Sequence, residues 1–178
     1  HDVDLIPSPE LLPYYTSIPS KGPCHIARVW NRYNNNPKYF GGIVAFNENQ
    51  FRAINGFPNN FWGWGGEDDE MQKRVDRAQL TPTAPSSGSI TDLEDMTLKE
   101  KLAFLKGKTE QKCMVKWEVL NEHDASWKAN GLHDLKYHVQ NTVLIDVDAK
   151  KDEDRRVKRV TVDVCLNGHW TDDKAGLS

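Results

Sequence analysis

Long apolar runs are missing. No stretch of eighteen apolar residues occurs among the 178, and there is no signal-like or targeting segment, so the sequence itself supplies no membrane-spanning helix. Charge of one sign is missing too: the net charge is −3 and the basic residues are scattered, which gives a polyanionic nucleic acid little to bind. The densest basic stretch, Lys150 to Arg159, is interleaved with Asp152, Glu153 and Asp154 and reads as a solvated hairpin tip. Cysteine is scarce. Cys24, Cys113 and Cys165 are odd in number and lack metal-ligand spacing, so they neither prove nor exclude a secretory compartment. No Asn-x-Ser/Thr acceptor occurs, which speaks against heavy glycosylation. There is no internal repeat.

What remains is ordinary soluble composition, 38% hydrophobic and 28% charged, in a chain long enough for one domain with a real core. One segment stands out. Residues 55 to 71 contain Phe61-Trp62-Gly63-Trp64-Gly65-Gly66 followed at once by Glu67-Asp68-Asp69-Glu70. Indoles on glycine hinges make poor core material, but an exposed indole gives a sugar or base a flat apolar face. Gly63, Gly65 and Gly66 open backbone conformations closed to other residues. Four carboxylates in the first turn of a helix are favoured by the macrodipole. We therefore expect a mobile aromatic flap joined to a rigid acidic site.

Elsewhere the pattern predicts interleaved strands and helices. Residues 7 to 37 carry six prolines and read as loop, with one short strand at Cys24 to Val29. Tyr39 to Phe46 is apolar and β-prone. Asn47 should cap a short helix bearing Phe51 and Ile54. Glu67 to Ala78 reads as a helix with Met71 and Val75 facing inward. Thr81 to Ser89 is a turn-rich break. Thr97-Leu98-Lys99-Glu100 has capping-box spacing ahead of a helix running to about Lys106. Cys113 to Leu120 is open between helix and strand, while Tyr137 to Val147 and Val160 to Leu166 read as strands.

The chain resembles the β-1,4-galactosyltransferase family. The resemblance rests on Tyr39-Phe40-Gly41-Gly42, on Asn55 through Glu70, on an opening His1-Asp2-Val3-Asp4 like the family's Asp-Val-Asp motif, and on Gly131-Leu132, Leu135 and Tyr137-His138-Val139. It implies a mixed α/β fold of the GT-A nucleotide-sugar transferase type, with residues 1–178 as a single-domain fragment. That fragment would be the C-terminal, acceptor and flap portion of the mixed sheet, lacking the upstream donor-binding strands. Galactose would pass from UDP-galactose, with inversion, to a glycan, glycoprotein or glycolipid acceptor in β-1,4 linkage. Asp68 would be the general base, with Glu67 and Asp69 positioning donor and acceptor. Asp2, Tyr39, Gly42 and Trp64 would serve the donor, and Trp64, Gly65, Phe61, Asp68 and Asp69 the acceptor. The resemblance implies manganese, with magnesium possible, and a Golgi lumen for a eukaryotic protein or the cytoplasm otherwise.

Departures also show. Where the xylose-acceptor branch carries His-x-His-Asp, this chain has Asp92-Leu93-Glu94-Asp95; either carboxylates replace the imidazoles, making Asp4, Asp92 and Glu94 an all-oxygen metal set suited to hard cations, or the site is altered and Asp92 and Glu94 begin an exposed segment ahead of the helix at Thr97. His1 to Leu5, Gly22 to His25 and Tyr137 to Val139 look like the xylose branch, while Gly66 looks like the N-acetylglucosamine branch. The acceptor stays open. A non-catalytic carbohydrate-binding module, an inactive truncated transferase and a metal-dependent phosphodiesterase remain alternatives.

Overall fold

The computed structural model describes residues 1–30, 36, 38–146 and 156–164. It divides into two compact units, residues 1–134 and 135–178. In the first, β1 (Leu5–Pro7) leads through a 3-10 turn (Pro9–Leu11) into α1 (Leu12–Thr16). That helix lies within the stretch expected to be loop; its proline sits at the helix start, where no amide is needed. β2 (Cys24–His25) stops after two residues and turns into a 3-10 helix, Ile26–Val29, not the longer strand expected. β3 is only Val44–Ala45, shorter than the strand expected from Tyr39. Gly42 breaks it with φ +76°, and the Ile43 amide turns back onto the Gly41 carbonyl at 3.0 Å.

α2 (Glu48–Ala53) begins as expected at Asn47, whose side chain accepts from the Gln50 amide while Gln50 returns the bond. α3 (Glu67–Arg77) buries Met71 and Val75 completely, as the four-residue spacing requires. After the expected break come β4 (Ile90–Asp92), which sequence patterning missed, and α4 (Leu98–Phe104) with its Thr97–Glu100 capping box. α5 (Lys116–Asn121) resolves the ambiguous segment as helix, and α6 (His123–Ser126) follows.

β1 pairs antiparallel with β4, and β2 with β3. Cys24 also makes a parallel bridge to Thr83, with Thr83 exchanging backbone bonds of 2.8 Å with Pro23 and His25. The mixed sheet therefore exists in miniature, and the α/β class holds.

Two apolar clusters hold this unit together. One gathers Leu5, Leu11, Cys24, Ile26, Ala27 and Ile43; the other gathers Phe40, Ile54, Met71 and Val75. Each large side chain so buried contributes about 1.5–3 kcal/mol relative to exposure. Phe40 belongs to one cluster and Ile43 to the other, so the two glycines between them run along the seam. That seam is where the acidic turn arrives.

The second unit is a hairpin of β5 (Tyr137–Asp146) and β6 (Arg156–Val164), antiparallel with an irregularity between Val139 and Asn141. β6 starts earlier than expected, at Arg156, so residues 156–159 are strand and only the rest of the basic stretch lies outside the described residues. Among the described residues no helix is long and apolar enough to cross a membrane.

Candidate active site

The carboxylates of α3 enter one cleft because a glycine turn delivers them. Gly63, Gly65 and Gly66 have φ of +84°, +106° and +109°, values L side chains rarely adopt. Gly66 is the N-cap and offers no side chain. Glu67, Asp68 and Asp69 thus face the opening instead of folding back to cap the helix. Trp64 is docked here rather than loose: its amide donates to the Gln111 carbonyl at 2.8 Å, and its carbonyl accepts from the Cys113 amide at 3.2 Å. Trp62 stays 57% exposed.

A cleft of about 200 Å³ results, lined by Tyr39, Trp64, Gly65, Gly66, Glu67, Asp68, Asp69 and Lys116, together with Asn36 and Leu98. Asp68 is its most perturbed group. Removal from water, then the charges of Glu67, Asp2 and Asp69, push its carboxyl up to about 7, against a smaller opposing pull from Lys116. Asp2 is thereby in the electrostatic neighbourhood of Asp68, with its amide bonded to the Gly42 carbonyl at 2.8 Å. A methyl group on Gly41 would stand 1.9 Å from Asp68 Oδ2; only a glycine allows this approach. His25 fixes that glycine. It is buried and donates Nε2–H to the Gly41 carbonyl at 3.0 Å, and burial pushes its pKa down to about 4, keeping the ring neutral. Tyr39 packs edge-on to His25 at 5.6 Å, and its hydroxyl is 3.1 Å from where a Gly42 Cβ would sit.

Asp69 pairs with Lys116 at 2.5 Å. Glu67 Oε2 is a buried oxygen without a hydrogen-bond partner among the described residues. An unmet polar atom of this kind costs about 1–3 kcal/mol, which a ligand hydroxyl would relieve. Phe61 does not line the cleft. Its ring sits against Gly66, 2.4 Å from where a Cβ would be, so its place is under the turn. Gly41, His25 and Lys116 belong to the site without having been marked for it. Gly41 and His25 lay inside the quoted motifs, whereas Lys116, 47 positions from Asp69, carried no sequence signal.

The expected metal ligands come to one end of the β1–β4 pair without forming a cage. Asp92 lies opposite Leu5 in register, and the Leu93 amide donates to the Asp4 carbonyl at 2.8 Å. Asp92 Oδ1, however, accepts from the Glu94 amide at 3.0 Å, and Glu94 is paired with Lys101. Among the described residues no three His, Cys, Asp or Glu side chains converge as metal ligands. The three carboxylates thus do not close a three-ligand cage, because Asp92 and Glu94 are engaged by their neighbours.

Fold and cleft together define the class: a GT-A-type α/β domain with an acidic, tryptophan-lined opening. The comparisons narrow it. A family model described as "N-terminal domain of galactosyltransferase" matches residues 22–100. β-1,4-Galactosyltransferase 3 of Homo sapiens is 32% identical over 143 residues, covering 78% of this chain and 34% of the relative. β-1,4-Galactosyltransferase 4 of Mus musculus is 32% identical over 147 residues, covering 78% and 38%. A mutant Drosophila β-1,4-galactosyltransferase 7, solved with manganese, UDP-Gal and xylobiose, superposes with TM-score 0.65 at 25% identity, over 93% of this chain and 66% of that one. This chain belongs to the β-1,4-galactosyltransferase family. It spans about a third of the length of these curated relatives. The matched model is described as an N-terminal domain, whereas the motif order led to the expectation of a C-terminal half; the family is the same under either description.

Proposed function

We propose that this protein is an inverting transferase that moves galactose from UDP-galactose to a sugar acceptor in β-1,4 linkage, and that the chain is the C-terminal, acceptor and flap portion of its catalytic domain. The observation that carries this reading is Asp68. A general base works best with a pKa near the operating pH, and the Asp68 carboxyl is raised to about 7 in a cleft lined also by Trp64 and Tyr39. It takes the acceptor hydroxyl's proton as that oxygen attacks the sugar carbon bearing the diphosphate. A single base and direct displacement invert the α-linked donor to a β-linked product.

Glu67 supports the reading through its unmet oxygen, which accepts a sugar hydroxyl. Asp69, held by Lys116, orients the acceptor, with Gly65 leaving room beside it. Trp64 covers the ring and excludes water that would hydrolyse the donor. Asp2 and Gly42 stand on the donor side with Tyr39. A relative is solved with manganese and UDP-Gal; here Asp4 is the proposed first ligand, and the cation would supply charge neutralisation for the departing diphosphate. Asp92 is the neighbour best placed to join it, and Glu94 would do so only on release from Lys101. Magnesium suits the same oxygen set. The compartment that fits is the Golgi lumen for a eukaryotic source and the cytoplasm otherwise.

The test is a transfer assay with manganese, UDP-galactose, UDP-glucose and UDP-GalNAc against xylose, glucose and N-acetylglucosamine. Galactose transfer with β-1,4 product linkage is expected. Sugar binding without transfer to any acceptor would leave a carbohydrate-binding module in its place.

A further inference from the structure

His25 is 3% exposed, and the proposed reaction gives it no proton to carry. Its main chain is held from two sides: β2 pairs it with Val44 of β3, and its amide donates to the Thr83 carbonyl at 2.8 Å. The imidazole therefore leaves a backbone with little freedom to swing. Tyr39 and Phe40 pack on it with ring centroids 5.6 and 5.1 Å away, and Phe40 is itself part of the buried core. So enclosed, the ring delivers its Nε2–H to the Gly41 carbonyl at 3.0 Å. The Ile43 amide reaches the same oxygen, also at 3.0 Å. Two donors on one carbonyl fix the Gly41 peptide in place.

Backbone conformation does not explain why position 41 is a glycine. Gly42 beside it needs φ +76°, whereas Gly41 lies outside the left-handed region. What excludes a side chain at 41 is Asp68: a Cβ there would stand 2.8 Å or less from Oδ1, Cγ and Oδ2. The whole carboxyl group thus lies against one Cα, which keeps water from that flank. Burial is the first cause of the raised Asp68 pKa, ahead of the charges of Glu67, of Asp2 from the N-terminal segment and of Asp69, with Lys116 of α5 opposing. His25 itself faces Arg28 and the Tyr39 ring. The Gly42 carbonyl accepts from the Asp2 amide at 2.8 Å, so the same glycine pair also places one of the charges that Asp68 feels.

We propose that His25 is a positioning residue for the transfer step: by holding the Gly41 carbonyl it keeps the Gly41 Cα pressed on the Asp68 carboxyl, and so sets where that carboxyl points and how much water reaches it. It acts through Gly41 and not on the sugars. The proposal rests on the transferase reading for its consequence at turnover; the effect on Asp68 stands separately.

Two substitutions isolate the hydrogen bond. In His25→Gln the side-chain amide reaches about as far as the imidazole Nε2, in His25→Asn it stops a bond short, and both lose the aromatic contacts. Carboxyl-carbon NMR of isotope-labelled aspartates follows Asp68, identified by the signal that Asp68→Asn removes. It should titrate at about 7 in wild type and about one unit or more lower in His25→Asn, as water returns, while His25→Gln should recover most of the difference. Gly41→Ala, which drives the carboxyl outward from the other side of the contact, should lower it as well. In transfer assays the acid limb of kcat against pH should move down with it, because a base of lower pKa stays ionised at lower pH. Plateau kcat should fall about tenfold in His25→Asn relative to His25→Gln through misplacement of the base, with equal KM for UDP-galactose in the two. An Asp68 titration unchanged in His25→Asn, or the same fall in His25→Gln, would overturn the proposal. Should His25→Asn not fold, His25→Phe, which keeps a ring and lacks the N–H, reads the same loss. An Asp68 titration that depends on His25 in a protein that transfers no galactose would keep the positioning role and remove the transferase reading.

Discussion

Asp68 and Glu70 stand two residues apart on one helix, and the structure treats them in opposite ways. Glu70 is buried and answered at one oxygen: Oε1 accepts from Arg74 Nε at 2.9 Å and from His123 Nδ1 at 2.8 Å, while Oε2 has no hydrogen-bond partner among the described residues. Arg74 continues to the carbonyls of Asn55 and Gly56 at 3.3 and 3.0 Å, and His123 Nε2 accepts from Arg77 Nε at 3.2 Å. Asp68 faces other carboxylates across a cleft and is pushed up to about 7. One carboxylate ties the flap's base to the helix, and the other is held in a poor environment where it can exchange a proton. A buried pair serves the fold, whereas unrelieved repulsion at a cleft serves chemistry.

The largest effect that would break this contrast is on turnover. Asp68→Asn should lower kcat by about two to four orders of magnitude, the range of general-base catalysis, with UDP-galactose affinity little changed; undiminished kcat would remove Asp68 as base. Glu70→Ala should act on the fold instead. It strands Arg74 in the interior, and thermal or denaturant unfolding should show a loss of about 3–5 kcal/mol. A variant as stable as wild type would mean that the network is decorative.

The same logic of answered and unanswered carboxylates separates Asp4 from Glu94. In manganese titrations with UDP present, Asp4→Ala should weaken binding at least about tenfold, on the scale of lost metal-site contacts. Glu94→Ala should leave it unchanged, because Glu94 already answers Lys101; the reverse order would move the ligand set. On the donor side of Asp68, Tyr39→Leu should shift the ratio of kcat/KM for UDP-GalNAc over UDP-galactose upward by about tenfold, the usual worth of pocket space. Wild-type preference for UDP-GalNAc would refute the donor assignment.

The smallest effect is on stability against pH. Asp68 has a folded pKa of about 7, above its ordinary 3.8, so its contribution is fully present below 3.8 and is lost as pH rises through 7. Asp68→Asn should therefore raise stability at pH 8 by about 1–2 kcal/mol, discounted because the cleft opens to water, and change little at pH 3.5. His25 works the other way. Its folded pKa of about 4 lies below the ordinary 6.5, so its contribution is present above 6.5 and is lost as pH falls toward 4. The Asn variant should keep that acid decline and lose the alkaline one.

Much of the site was legible because it is local. Three glycines, an indole and a run of acids within a few positions dictate a strained turn feeding a helix start, and the cap at Asn47 and the capping box at Thr97 formed as expected. Phe61 shows the limit of such reading: adjacency in sequence suggested a place in the acceptor cleft, but packing turned its ring under Gly66. Asp92 and Glu94 show another, since their neighbours had already claimed them.

The sequence by itself determined the helix that presents Asp68, the inward face of Met71 and Val75, and the family, since these depend on residues within a turn or two of one another. Tertiary structure alone decided that Gly41 presses on Asp68, that Lys116 arrives to hold Asp69, and that Glu70 is spent on Arg74 and His123. Proton affinity in a cleft is a sum over charges and lost water from many segments. No local pattern contains that sum.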